Sequence, residues 1–111
     1  MLGAVSRSHT KASDMTKDEH LSKIAESVAL VRSDMMNADF LGKMRDVIRA
    51  AEYEFNDQHL TFYTGRIVRY LNKAMKHADL QRRIKDVEAA LDHVSRLPSA
   101  FEVAEKRRSE K

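Results

Sequence analysis

The chain has 111 residues, of which 42% are apolar and 33% charged, a composition that suits one folded domain with a strongly solvated surface. It contains no cysteine, which excludes disulfides and thiolate metal sites, and no apolar run approaches the roughly 20 residues that cross a bilayer. The apolar stretch after Met1 is too short for a signal peptide, so we expect a cytoplasmic protein that does not enter a membrane.

Helical signals begin after a polar N-terminal segment. Residues 1–15 are small, polar and aperiodic, and we expect them to form a flexible tail. Thr16 and Glu19 have the spacing of a capping box, which predicts the start of a helix. Apolar residues then recur every three or four positions, as on one face of a helix, at Leu21, Ile24, Val28, Val31 and Met35.

Two further helices are predicted once this periodicity is lost near residues 36–39. Either Asn37 or Asp39 can cap the second helix. Its apolar positions are Phe40, Met44, Val47, Ile48 and Ala51. Residues 54–57 are expected to form a connection, with Asn56 or Asp57 as the next N-cap. The third helix then has one apolar side, formed by Leu60, Tyr63, Ile67, Leu71 and Ala74.

The third helix should end near Asp79, which can cap a fourth helix. The apolar positions of the fourth helix are Leu80, Ile84, Val87, Leu91 and Val94. Pro98 is predicted to end it, because proline cannot donate a hydrogen bond inside a helix. Ser99 and Glu102 repeat the capping-box spacing and predict a short last helix from Ala100, while residues 109–111 should fray.

These signals predict an all-α fold, in which residues 16–108 form a small antiparallel bundle of four main helices and a short C-terminal helix. The predicted core is Leu21, Ile24, Val28, Val31, Phe40, Met44, Val47, Ile48, Leu60, Tyr63, Ile67, Leu71, Ile84, Val87 and Leu91. The apolar spacing of the first and fourth helices also suits packing between chains, and six methionines suit adaptable surfaces. We therefore expect a homo-oligomer.

Positive charge is concentrated in the second half of the chain. Residues 1–63 carry 8 Lys/Arg against 10 Asp/Glu, whereas residues 64–111 carry 12 against 7. Helical geometry places four cations of the third helix opposite its apolar side, with Phe62 among them and Tyr70 at the edge; these cations are Arg66, Arg69, Lys73 and Lys76. The face is either solvated surface or a site where cations hold phosphate while a flat ring stacks on Phe62.

Gly65 borders the same face of the third helix. Glycine costs about 1 kcal/mol in a helix interior relative to alanine, so its presence suggests that something approaches the backbone there. The approaching group could be a ligand or a neighbouring helix.

Motifs of common enzyme classes are absent. The chain has no Gly-x-x-x-x-Gly-Lys-Ser/Thr phosphate loop, no glycine-rich dinucleotide fingerprint and no His-Glu-x-x-His pair. Its five histidines are scattered, and its carboxylates do not form the opposed acidic clusters that bind magnesium in helical pyrophosphohydrolases. We therefore predict no metal site and name no catalytic residue, which leaves open whether the protein is an enzyme.

Part of the chain resembles the small nucleotide kinases of T7-like phages, which lack a phosphate loop, and their uncharacterised phage relatives. The resemblance covers roughly residues 44–97 and is carried by Gly65-Arg66-Ile67-Val68-Arg69-Tyr70-Leu71-Asn72-Lys73-Ala74-Met75-Lys76-His77, Leu80, Lys85-Asp86-Val87 and Ala90. It implies a helical phage protein that binds nucleotides or other phosphorylated ligands, together with Mg²⁺ if it is a kinase.

A second stretch resembles the small enterobacterial nucleoid modulators of the Hha/YmoA type. The matching residues are Val47-Ile48, Tyr53-Glu54-Phe55-Asn56-Asp57, Leu60 and Phe62-Tyr63. This resemblance implies a regulatory protein that binds DNA or a DNA-binding partner. A third possibility is a non-enzymatic structural or interaction protein of a phage or mobile element, whose helices serve only for assembly.

Overall fold

The computed structural model describes residues 16–109 as five helices joined by loops of two to four residues. The helices are α1 (Lys17–Ser33), α2 (Ala38–Phe55), α3 (Gln58–Lys76), α4 (Leu80–Val94) and α5 (Leu97–Ser109). No strand occurs in these residues, which confirms the predicted all-α class. The predicted tail of residues 1–15 lies outside the described part of the chain.

Polar side chains cap the first four helices. Thr16 accepts a hydrogen bond from the Glu19 amide, and the Glu19 carboxylate accepts one from the Thr16 amide, so the predicted capping box is present. Asn37, Asp57 and Asp79 cap α2, α3 and α4 through side-chain oxygens that accept hydrogen bonds from backbone amides of the first turn. Of the alternatives left open, Asn37 is therefore the cap rather than Asp39, and Asp57 rather than Asn56.

The core surrounds one side of α3, which packs against α2, α4 and α5, while α1 packs mainly on α2. Nine of the predicted core residues are buried: Ile24, Val31, Met44, Ile48, Leu60, Ile67, Leu71, Val87 and Leu91. Five others lie partly buried at the edge of this core: Leu21, Val28, Phe40, Val47 and Tyr63. The remaining predicted core residue, Ile84, is only partly buried and does not belong to this core. The spacing of apolar residues therefore predicted the inward sides of the helices correctly, because helical periodicity is a local property of the chain.

The C-terminal part of the chain differs from the prediction. Helix α4 ends at Val94, and α5 begins at Leu97 rather than at Ala100. Pro98 therefore lies in the first turn of α5, where a helix does not need the amide hydrogen that proline lacks. Helix α5 has 13 residues, almost as many as the 15 of α4, whereas a short last helix was predicted.

Two apolar residues are also placed differently from their prediction. Leu80, predicted for the apolar side of α4, is 50% exposed at the first residue of that helix. Phe55, predicted for a connection, is the last residue of α2 and is buried. Both residues lie at helix ends. There the path of the chain into the adjoining loop, rather than helical spacing, determines whether a side chain faces the core.

An aromatic cluster joins α1, α2 and α5. The Phe101 and Phe55 rings meet edge to face with centroids 5.2 Å apart, and the buried His20 ring lies 5.8 Å from Phe55 and 6.3 Å from Phe101. His20 Nε2 lies 2.9 Å from Oε1 of Glu54, so the imidazole keeps a polar partner inside the core. This cluster attaches α5 to the body of the protein.

Within residues 16–109, no helix combines the length and the apolar character needed to cross a membrane.

Candidate phosphate-binding site

The start of α3 is held by Asp57, which is largely buried. Its Oδ2 accepts a hydrogen bond from the Leu60 amide at 3.0 Å, and Nη1 of Arg107 in α5 lies 3.2 Å from its Oδ1. Burial disfavours the charged carboxylate, but the Leu60 amide and the Arg107 guanidinium outweigh burial and hold the pKa of Asp57 below its ordinary value. A capped helix start and an ion pair to α5 thus fix the position of α3.

Buried contacts also fix how α3 is rotated about its axis. Its inward residues are Leu60, Thr64, Ile67, Val68, Leu71 and Ala74. The Thr64 hydroxyl is fully buried and donates a hydrogen bond to the Glu52 carboxylate of α2. Because the inward side is fixed by both apolar packing and a polar contact, the residues on the opposite side of α3 face solvent.

Four cations and one aromatic ring lie on this outward side, as predicted. Arg66, Arg69, Lys73 and Lys76 are all exposed, and we call them the basic row. Phe62 precedes them on the same side and is 54% exposed. At a rise of 1.5 Å per residue, the basic row extends over about 15 Å of the helix.

Two of the cations contact aromatic rings of the same helix. The Arg66 guanidinium carbon lies 4.5 Å from the centroid of the Phe62 ring, and Nζ of Lys73 lies 6.0 Å from that of Tyr70. Tyr70 is half-buried, and its ring lies 5.5 Å from that of His93 in α4. The predicted site residues therefore share one surface, with Tyr70 at its α4 edge.

The basic row has no acidic partner within the described residues. The ion pairs of this part of the chain involve other cations, and no carboxylate of residues 16–109 lies within 4.0 Å of Arg66, Arg69, Lys73 or Lys76. Lys73 and Lys76 also lie in the last turn of α3, where cations interact favourably with the helix dipole. That interaction gives the two lysines a structural role, but it does not extend to Arg66 and Arg69 in the middle of the helix.

Arg83 shows that not every cation of this region is available to a ligand. Its guanidinium donates to the carbonyls of Ala74 at 2.9 Å and of His77 at 2.8 Å, at the end of α3. A third hydrogen bond, of 2.7 Å, reaches the carbonyl of Met36 in the loop between α1 and α2. Arg83 therefore satisfies backbone carbonyls that the helix end leaves free, a role that its sequence position did not indicate.

A second contact missed by the sequence analysis joins α2 to the outward side of α3. Nη1 of Arg45 donates to Oδ1 of Asn72 at 3.3 Å, next to Lys73 in the chain. Arg45 also contacts Asp46, at 3.3 Å, so its charge is partly balanced. No signal in the sequence pairs Arg45 with Asn72, because the two residues are 27 positions apart.

Gly65 does not make room for a neighbouring helix. A Cβ atom built at Gly65 would meet, beyond the adjacent residues and backbone of α3 itself, no heavy atom of residues 16–109 within 4 Å. Of the two explanations considered for this glycine, close packing of a neighbouring helix is therefore wrong, and the approach of a ligand stays a prediction.

The chemistry available at this surface is the binding of anions. Arginine holds phosphate through two parallel hydrogen bonds, lysine acts as a point charge, and an exposed ring can stack on a flat group. Residues 16–109 contain no group of three or more His, Asp or Glu side chains placed to hold a metal ion.

Comparisons of the chain with protein-family models, with curated proteins and with solved structures find no significant match. The resemblances to phage nucleotide kinases and to nucleoid modulators stay predictions.

Proposed function

We propose that the protein binds nucleotides or other phosphorylated ligands through the basic row of α3. The observation that carries this proposal is the uninterrupted line of four exposed cations without a carboxylate of residues 16–109 in ion-pair range. Charges on the surface usually contribute little to the stability of a folded protein. A cluster of positive charges does, however, attract counter-ions or ligands of negative charge.

Arg66 and Arg69 contribute most to binding in this proposal, because the guanidinium group fits phosphate in a bidentate manner. Lys73 and Lys76 add charge further along the same side. Phe62 offers a stacking surface, and the Tyr70 hydroxyl at the edge can hydrogen-bond the ligand.

The double substitution Arg66→Ala with Arg69→Ala tests the proposal. We expect binding of a phosphorylated ligand to weaken ten-fold or more, which corresponds to at least about 1.4 kcal/mol. The melting temperature should stay nearly unchanged, because both side chains are exposed and form no ion pair within the described residues. Titration calorimetry and thermal melting measure the two quantities.

The matched control is Lys23→Ala with Arg32→Ala, which removes the same charge from two exposed residues of α1. Equal loss of binding in the two double variants would show that only net charge matters. Unchanged binding by a folded Arg66/Arg69 variant would place the ligand elsewhere.

Nucleotide-kinase activity is the more specific form of this proposal, and the resemblance over residues 44–97 motivates it. The basic row would then neutralise charge on the transferred phosphate, with Mg²⁺ held by the nucleotide. A thermal-shift screen with nucleoside mono- and triphosphates, with and without Mg²⁺, beside a short duplex identifies the ligand class, because a ligand stabilises the folded state that binds it. Stabilisation by duplex alone would favour the regulatory DNA-binding alternative.

We also propose that consecutive helices run antiparallel. The loops at residues 34–37, 56–57, 77–79 and 95–96 support this arrangement, because short connections turn the chain back along the preceding helix.

A further inference from the structure

We propose that the ligand of α3 is a single strand of nucleic acid, whose phosphates lie along the basic row while its bases stack on the rings beside it. This inference rests on the proposed function and narrows it to one class of partner. It follows from the arrangement of aromatic rings, from the shape of the surface and from the distribution of charge on α4.

Aromatic rings lie along α3 beside the cations: Phe62 is among them, and the partly buried Tyr63 and Tyr70 lie between the basic row and the core. Phe62 and Tyr63 meet edge to face at 5.2 Å, and His59 lies edge-on to Tyr63 at 5.5 Å. Two helical turns further on, Tyr70 contacts His93 of α4. The rings therefore form a line beside the basic row, and the half-exposed Phe62 at its start has room for a base.

The surface is an open row rather than an enclosed pocket. Its cations follow one another at intervals of three or four residues, and the row of about 15 Å is long enough for more than one phosphate of a strand. A mononucleotide would engage only one part of this row, whereas a chain of phosphates uses its whole length.

Negative charge on α4 is directed away from this surface. The exposed acids Glu88 and Asp92 line a surface cavity of about 360 Å³ together with Arg32 and Met35 of α1. The carboxylate of α4 that does lie toward α3, Asp86, is 3.1 Å from Nε2 of His77. A polyanion on the outward side of α3 therefore avoids the carboxylates of α4, since Asp86 is paired with His77 and both Glu88 and Asp92 lie toward α1.

Stacking on side chains is the feature that favours a single strand over a duplex. In a duplex the faces of the bases are covered by their neighbours, so exposed rings beside a phosphate-binding row contribute little. In a single strand each base presents a flat face, and the combination of a basic groove with aromatic rings is typical of proteins that bind such strands.

The tyrosines supply a direct readout of stacking. The protein has no tryptophan and three tyrosines, of which Tyr53 in α2 is 86% exposed. In the full chain carrying Tyr53→Phe, the emission therefore comes from Tyr63 and Tyr70 alone. We would titrate this protein with 15-mer oligothymidylate, 15-mer oligouridylate, a 15-base-pair duplex and a nucleoside triphosphate.

We expect both single strands to bind and to quench the tyrosine emission. The logarithm of the binding constant should fall with the logarithm of the salt concentration at a slope near −3, since each of the four cations contributes about −0.7. Arg66→Ala with Arg69→Ala should make this slope less steep by about 1.4. Phe62→Ala should weaken binding roughly ten-fold without changing the circular dichroism or the melting temperature, whereas Tyr53→Ala, the control for loss of an exposed ring, should not.

The outcomes separate this inference from the proposed function. The single-strand inference is overturned if the duplex or the nucleoside triphosphate binds more tightly than the single strands. It is also overturned if single strands bind without quenching and Phe62→Ala has no effect. Both results leave phosphate binding standing. Absence of binding to all four probes, or binding that ignores the Arg66/Arg69 substitutions, overturns both.

Discussion

Arg83 has a role that its neighbours in the folded protein decide. In the chain it is one of seven cations between Arg66 and Lys85. In the structure its guanidinium donates to carbonyls at the nearby end of α3 and to that of Met36, so it joins these elements to a loop 47 positions away. The neighbouring Arg82, by contrast, is exposed.

We expect Arg83→Ala to lower the free energy of unfolding by about 1.5–3 kcal/mol, because hydrogen bonds to a charged group are lost and partly buried carbonyls remain without a donor. Arg82→Ala, the matched control, should change it by less than about 0.5 kcal/mol. Urea denaturation followed by circular dichroism measures both. Equal effects of the two substitutions would contradict the structural role of Arg83.

At the scale of an element, α3 depends on the cap at its first turn. Asp57 combines the N-cap hydrogen bond to Leu60 with the contact to Arg107, and it is the link between the α3 start and α5. Loss of the cap would release the turn that leads to Phe62 and the basic row.

We expect Asp57→Ala to cost about 1 kcal/mol of stability at neutral pH, while Asp57→Asn should cost less, because asparagine also caps helices well. The pKa of Asp57 is lowered in the folded protein, so its charge stabilises the fold above the ordinary aspartate pKa of about 4. That stabilisation is lost as pH falls through the lowered pKa.

The stability difference between the wild type and Asp57→Asn should therefore shrink between pH 6 and pH 3. Urea denaturation at several pH values measures this difference. A constant difference over that range would mean that the Asp57 carboxylate gains nothing from its partners in the folded protein.

For the whole molecule, self-association stays a prediction, and the structure restricts the surface that it can use. Most apolar residues of the α1 and α4 stripes are at least partly buried within one chain. Exposed apolar residues include Met36, in the loop between α1 and α2, and Leu80, at the first residue of α4.

We expect light scattering at micromolar concentration to give a mass above the 12.8 kDa of one chain. Leu80→Glu should shift the protein toward the monomer, because a charge there is costly at an apolar contact between chains. Val103→Glu, at a partly exposed apolar residue of α5, serves as the control. A wild-type mass of one chain over the whole concentration range would contradict self-association.

The local signals of the sequence determined the class of the fold and most helix starts. Caps such as Thr16 and Asp79 act on backbone amides two or three residues away, and apolar spacing places residues such as Ile67 and Leu71 on one side of a helix. For the same reason the basic row could be placed opposite the core of α3 without any knowledge of the other helices.

Only the tertiary structure decided which residues act across helices. The burial of His20 beside Phe101, the exposure of Leu80 and the start of α5 at Leu97 depend on where other helices lie. Arg83 became a structural residue rather than part of the basic row because folding brings carbonyls from up to 47 positions away within reach of its guanidinium. Periodicity and capping extend over a few residues, whereas these contacts arise only when distant segments meet.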